Sequence, residues 1–200
     1  MNPENQTLQY YDKDPDAFVA NTLSADMADT RTRFCKCLPQ GSLILDFGCG
    51  SGRDTKAFLE AGYRVDAADG SGELCARASE YTGIPVKKML FQELDEKERY
   101  DGIWACASIL HLPKAELADV LKKIEAALKP EGILYASFKY GENEGVRRER
   151  YFSDFTEESI QAFWKDASSM QIFDLWVTRD VRPGREEEKW INLLARRGLK

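Results

Sequence analysis

From residue 43 to residue 138 the chain alternates short apolar runs with longer stretches whose apolar positions recur at helical spacing. Leu43-Ile44-Leu45-Asp46-Phe47 is the first apolar run; it ends in glycines and predicts a strand. Residues 53–61 follow as a helix, with Ala57, Phe58 and Ala61 on one face and Gly62 at the C-cap. Residues 63–68 predict a second strand, and residues 71–81 a helix capped by Ser71 and stopped by Gly83 and Pro85. Residues 85–89 and 102–106 predict the third and fourth strands. Leu117, Val120, Leu121, Ile124 and Leu128 mark an amphipathic helix over 114–128, broken by Pro130-Glu131-Gly132 before a fifth strand over 133–138. Such alternation predicts βαβ units and a mostly parallel sheet.

The two ends read differently. Before the first strand the pattern predicts helices over 16–23 and 25–38. Near the other end a helix over 157–165 precedes two runs rich in β-formers, 172–181 and 189–195, joined by the charged segment 182–188. They predict a hairpin that closes the sheet with an antiparallel last strand. Residues 139–154 are polar, carry Gly141, Gly145, Arg147, Arg148 and Arg150, and read as a long loop over the carboxyl edge of the sheet, where open α/β folds bind ligands. The expected fold is α/β: a doubly wound, seven-stranded, mostly parallel sheet with N-terminal helices. It forms one domain over 1–200, divided into a helical cap (1–40), a ligand-binding core (41–138) and a substrate-side loop with the closing hairpin (139–200).

Composition narrows this picture. A chain of 200 residues, 43% hydrophobic and 31% charged, suits one globular domain. Twenty-eight basic against 34 acidic side chains leave a net charge of −6, which argues against nucleic acid as partner. No apolar run approaches the roughly 20 residues of a membrane helix, and the polar first 16 residues lack a signal-peptide pattern. Among the five cysteines, Cys35-Lys36-Cys37 has no second pair at zinc spacing, so the expectation is reduced thiols, no metal and a cytoplasmic location. The chain would act as a monomer or homodimer.

The sharpest chemistry lies in Asp46-Phe47-Gly48-Cys49-Gly50-Ser51-Gly52-Arg53, between a strand and a helix. Glycines there permit a tight turn and close approach of a ligand to the backbone, and the helix start offers free N–H groups. The dinucleotide fingerprint fails, because its sixth position is Arg53 or Thr55 rather than Gly or Ala; the phosphate-loop pattern fails as well. Asp69, followed by Gly70 and Ser71 at the tip of the second strand, is placed to accept both hydroxyls of a ribose.

At this point the sequence resembles the class I S-adenosylmethionine (SAM)-dependent methyltransferases, a Rossmann-like family, over about residues 40–138. Residues 45–52 look like its first motif, with Asp46 orienting the loop near the methionine moiety, and Asp69 falls at its ribose-binding acid. Phe91-Gln92-Glu93-Leu94 resembles the segment that contacts adenine, and Trp104-Ala105-Cys106 through His111 the segment beside the methyl group. Leu128 through Leu134 resembles the turn before strand five. Gly52-Arg53-Asp54 and the short length look most like the tellurite-resistance methyltransferase group.

The resemblance implies SAM as cofactor, S-adenosylhomocysteine as product and a small-molecule methyl acceptor. It puts Tyr11, Asp46, Gly48, Gly50, Ser51, Gly52, Arg53, Asp69, Gly70, Ser71, Gln92, Glu93, Leu94, Ala105 and Cys106 against the cofactor. Arg53 would bridge the methionine carboxylate, and Tyr10 or Tyr11 would close over the cofactor. His111, the single histidine, is the candidate base, needed only for an alcohol or carbon acid. Arg147, Tyr151, Arg182 and Arg185 are the candidate acceptor contacts. A nicotinamide-dependent oxidoreductase and a non-catalytic SAM-binding module are the rival readings. Base methylation is disfavoured because Ala105-Cys106-Ala107-Ser108 stands where an Asn/Asp-Pro-Pro-aromatic motif would be.

Overall fold

The computed structural model describes residues 3–199; Met1, Asn2 and Lys200, at the outer ends of the expected 1–200 domain, lie outside the described residues. Five strands, β1 (Leu43–Phe47), β2 (Arg64–Asp69), β3 (Val86–Lys88), β4 (Tyr100–Ala105) and β5 (Leu128–Lys139), run parallel in the order β3-β2-β1-β4-β5. Two more follow, β8 (Gln171–Arg179) and β9 (Lys189–Arg196). β9 inserts antiparallel between β5 and β8, which gives a seven-stranded mixed sheet with β8 at its edge.

The central strands are nearly continuous apolar runs because helices cover both faces of the sheet. Leu45, Phe47, Ile103, Ala105, Leu134 and Phe138 point to one face and meet α6 (Lys114–Ala127) through Leu117, Val120, Leu121 and Ile124, and α7 (Glu157–Ala167) through Ile160 and Trp164. Their sequence neighbours Ile44, Trp104, Ile133 and Tyr135 point to the other, against Phe34 of α3 (Ala28–Cys35) and Phe58 of α4 (Arg53–Glu60). This is the period-two alternation of a pleated strand. Trp104 is wholly buried and stacks on Tyr135 at 4.0 Å between ring centres.

Local capping chemistry sets the helix ends. Ser71 caps α5 (Gly72–Thr82) by accepting from the Leu74 N–H, and Gly83, at φ +78°, ends it. Asp14 caps α2 (Pro15–Leu23), with Pro15 at its first position.

Several expected elements are corrected. An unforeseen helix, α1 (Pro3–Lys13), precedes α2. The second N-terminal helix runs over Ala28–Cys35 rather than 25–38; Asp26 accepts from the Ala28 N–H and sets the later start. Strand β5 begins at Leu128, so Pro130-Glu131-Gly132 is an irregularity inside the strand: Glu131 takes φ +63° and the pairing with β4 shifts register between Tyr100 and Gly102. Residues 139–154 are not a plain loop. They hold an antiparallel hairpin, β6 (Glu144–Arg147) and β7 (Arg150–Ser153), turned by Arg148 and Glu149 at φ +48° and +64°. Positive φ at both central residues is the type I′ geometry that two-residue hairpins favour.

Candidate functional site

The loop after β1 is tied down on two sides. The Gly48 and Cys49 N–H groups both donate to the Ala68 carbonyl at the end of β2 (2.8 and 3.0 Å), and the Ser108 hydroxyl, beyond β4, donates to the Phe47 carbonyl (2.7 Å). Gly48 has φ +83°, and a Cβ there would sit 2.4 Å from the Ser108 Cβ. A Gly48→Ala substitution thus meets both backbone strain and a clash with an anchored neighbour. It should cost about 2–4 kcal/mol in urea unfolding; an unchanged midpoint would show that the loop rearranges freely.

Two acids converge on this loop. Asp69, at the tip of β2, accepts from the Gly50 N–H through one oxygen and the Ser71 N–H through the other, both at 2.9 Å. Each oxygen keeps a lone pair for a ligand donor. Burial raises the Asp69 pKa, opposed by the Ser71 and Gly50 N–H groups. Asp46 is 2% exposed and accepts from the Thr55 hydroxyl at 2.6 Å. Its burial, with the charge of Asp54 behind it, pushes its pKa up to about 7.

Arg53 was expected to reach a ligand carboxylate. Its guanidinium instead forks onto Asp54, with Nε at 3.0 Å and Nη2 at 2.6 Å, and its Nη1 lies 3.3 Å from the Thr22 carbonyl. Asp54 also accepts from Arg31 (2.7 Å) and from the Trp104 indole N–H (3.0 Å). Burial opposes ionisation of Asp54, yet the two guanidinium groups hold its pKa below the usual carboxylate range.

Helices α1 and α2 roof the loop. Leu8 lies over Gly70, and Phe18 over Gly50. Asp12 accepts from the Ser71 hydroxyl at 2.5 Å and pins α1 to the start of α5. Tyr11 packs on Phe18 and on His111. The Nδ1 of His111 lies 2.6 Å from the Tyr151 carbonyl, which can only accept, so Nδ1 carries the proton. Its Nε2 lone pair then accepts from the Tyr11 hydroxyl at 2.8 Å. Burial lowers the His111 pKa to about 4, so the ring is neutral near pH 7.

A second group of charges lies at the carboxyl end of β5 and on the hairpins. Asp180, 6% exposed, accepts from the Arg182 guanidinium (2.6 and 2.9 Å), Lys139 (3.2 Å) and the Trp190 indole N–H (3.0 Å). Burial opposes its ionisation, but Arg182 and Trp190 prevail and its pKa is lowered. Arg147 donates to the buried Asp154 at 2.5 Å, and Arg185 pairs with Glu188 at 3.8 Å.

Asp46, Asp69, the glycine loop, Tyr11, His111 and the charges around Asp180 line one cavity of about 640 Å³ at the carboxyl ends of β1, β2, β4 and β5, where the strand order reverses. That volume falls within the range of small-molecule sites, roughly 300–1,000 Å³. Of the expected residues, Tyr11, Asp46, Gly48, Gly50, Ser51, Arg53, Asp69, Gly70, Cys106, His111, Arg147, Arg182 and Arg185 line it. The others do not. Gly52, at φ +76°, packs beneath it against Thr82 and Ala78. Ser71 is consumed in capping α5 and bonding Asp12, and Ala105 is buried in the core.

Of the expected adenine segment, Phe91 lines the cavity and the next three side chains turn away from it. Gln92 donates to Glu116 of α6, Glu93 folds back onto the Leu90 N–H, and Leu94 sits in the core. Met89, Leu90 and Phe91 face the cavity in their place. Tyr151 turns its hydroxyl to Glu144 and serves the site through its backbone: the carbonyl meets His111 and the N–H donates to the Thr7 hydroxyl. Sequence reasoning missed Leu8, Phe18, Leu74, Lys139, Asp180, Trp190 and Asn192 in the lining. The i, i+3 spacing of Leu8 and Tyr11, just ahead of Asp14-Pro15, is the signal that could have found α1.

Residues 44–132 match the methyltransferase-domain family. The chain is 35% identical over 98 residues to the N-terminal Xaa-Pro-Lys N-methyltransferase 1 of Danio rerio, covering 45% of this chain and 44% of that protein. It is 30% identical over 103 residues to a ubiquinone biosynthesis O-methyltransferase of Rhodopseudomonas palustris, covering 49% and 40%. The chain thus spans under half the length of these relatives. The crystal structure of Burkholderia thailandensis 1,6-didemethyltoxoflavin-N1-methyltransferase, with 1,6-didemethyltoxoflavin and S-adenosylhomocysteine bound, has the same fold: TM-score 0.76, 24% identity, 98% of this chain and 87% of that one.

Proposed function

We propose, starting from the match of residues 44–132 to the methyltransferase-domain family, that the protein transfers the methyl group of SAM to a small-molecule acceptor. The observation that carries this is the meeting of the Asp69 carboxylate, the glycine loop and the apolar wall of Leu74, Met89, Leu90 and Phe91 in one cavity. A ribose, an amino acid moiety and an adenine ring need those three surfaces. The cavity roofed by α1 and the β6–β7 hairpin favours a small acceptor over a protein terminus, although one relative is named for a protein N-terminus. The Gly52-Arg53-Asp54 likeness to the tellurite-resistance group supports the same reading.

When bound, SAM supplies a sulfonium-activated methyl group that passes in line to the acceptor lone pair, with the C–S electron pair returning to sulfur. The chain's own residues hold and shield. Asp69 accepts from the ribose hydroxyls through its remaining lone pairs, and Asp46 faces the cationic amino acid end. Tyr11, fixed by His111, closes the roof and excludes water. His111 acts as a positioning residue: its Nε2 is engaged by Tyr11 and its basicity is lowered. The acceptor atom therefore arrives with its lone pair free, as a neutral amine or an already deprotonated oxygen or sulfur.

Calorimetry with SAM and with NAD tests the reading. Micromolar SAM binding without NAD binding is expected; NAD binding without SAM binding refutes it. Proton linkage gives a further check. The folded-state pKa of Asp46, about 7, lies above its unfolded value, so its proton is retained on folding and the group's contribution to stability falls as pH rises from about 4 to 7. A cationic ligand favours the carboxylate, so SAM should bind several-fold more tightly at pH 7.5 than at pH 6, with proton release. Asp46→Asn should flatten that dependence in calorimetry across two buffers.

A further inference from the structure

Of the basic residues on the two hairpins, Arg147, Arg182 and Arg185 are each matched to an acid: Asp154, Asp180 and Glu188. Arg150 is not. Among the described residues no carboxylate lies within ion-pair distance of it, although it lines the cavity. Its Nε is buried with no hydrogen-bond partner, and its one polar contact is a long one, Nη1 to the Tyr11 hydroxyl at 3.5 Å. The guanidinium is held by ring faces: 4.3 Å from the Tyr10 ring centre, 5.2 Å from Phe152 and 5.9 Å from Tyr11. Aromatic faces attract the cation without using its N–H donors.

The backbone delivers Arg150 deliberately. The two non-glycine residues with positive φ at the β6–β7 turn leave Arg148 and Glu149 exposed and begin β7 at Arg150, paired with Arg147. The turn type suits a hairpin, but long side chains at positive φ are uncommon in it and persist where the rest of the structure holds them. The result is a half-buried, pre-oriented fork of N–H donors beside the Tyr11–His111 pair, with no internal acid. A planar or tetrahedral oxyanion is what such a fork binds best.

We propose that Arg150 is the anion-recognition residue of the acceptor subsite, and that the methyl acceptor is a small molecule bearing a carboxylate or phosphate group seated between Tyr10, Tyr11 and Phe152. This rests on the methyltransferase reading for the word acceptor; the anion site itself does not. The fork anchors one end of the acceptor and leaves the other end to reach the methyl group.

The test is titration of the full chain, with and without S-adenosylhomocysteine, by benzoate and by inorganic phosphate, read by calorimetry. Saturable binding of at least one of the two is expected. Arg150→Gln should weaken it at least tenfold, Arg150→Lys should recover part of the loss because the charge remains without the fork, and Arg64→Gln, exposed at the start of β2 and outside the cavity lining, should change nothing. Circular dichroism melting confirms that each variant is folded. Absence of saturable anion binding, or equal binding by Arg150→Gln, overturns the proposal. Weakened S-adenosylhomocysteine binding in Arg150→Gln with unaltered anion binding also overturns it, since the guanidinium would then serve the donor. Failure of S-adenosylhomocysteine to bind any form refutes the methyltransferase reading and leaves the anion result standing on its own.

Discussion

Asp69→Asn is expected to weaken SAM binding by 100-fold or more while leaving the protein folded. The carboxylate acts twice. It receives the Gly50 and Ser71 N–H groups, which sets the glycine loop against the start of α5, and it presents its remaining lone pairs to the cavity. An amide replaces one oxygen by a donor, and that NH2 must face either another N–H or a ribose hydroxyl. Two charge-assisted hydrogen bonds, at about 1.5–3 kcal/mol each, are weakened or lost. A loss of about 3–4 kcal/mol corresponds to a factor of several hundred in Kd. Calorimetry reads the affinity and circular dichroism the fold. A folded variant with wild-type affinity would remove Asp69 from the ligand's contacts.

The largest stability effect should come from Asp54→Ala. Asp54 is 5% exposed and gathers Arg53, Arg31 and the Trp104 indole N–H on its two oxygens. Truncation strands two half-buried guanidinium groups and a fully buried indole donor. Removing one partner of a buried pair costs about 3–5 kcal/mol, because the remaining charge has no water to turn to. In a chain of this size that is a fall in Tm on the order of 10 °C. The pH dependence follows. The folded pKa of Asp54 is depressed, so its contribution is fully present above the unfolded carboxylate range and is lost as pH falls through the folded value. The wild type should lose stability in acid faster than Asp54→Asn does. A variant within 1 kcal/mol of wild type in urea would show that the network is compensated elsewhere.

The sequence spoke most clearly where the local signal and the tertiary context agree. β1 occupies the expected Leu43–Phe47, since an apolar run ending in glycines has one reading when both sheet faces are buried. α5 lies between Ser71 and Gly83 for the capping reasons read from sequence. The misses share a physical cause. α1 is mostly polar, and what it buries, Thr7 among it, faces the cavity rather than the core, so its apolar signal shrinks to Leu8 and Tyr11. The β6–β7 turn uses Arg148 and Glu149 where Asn-Gly would have signalled a hairpin. At the site, the acids at strand tips were legible because topology alone places them. The destinations of Arg53, Arg147 and Arg182 were not, because a long cation can choose among acids that only folding brings near.

The placement of β9 between β5 and β8 bears on how the molecule is made. Until β9 has left the ribosome, β5 and β8 have no strand to join them, and their inner edges carry open N–H and C=O groups. The part of the sheet over β1 to β4, which carries the glycine loop and Asp69, can assemble early. Trp190 and Asn192, which line the other half, reside on β9 itself. A chain truncated ahead of β9 would therefore keep the glycine-loop half of the cavity, lose the floor that Trp190 and Asn192 supply, and leave two strand edges open to aggregation.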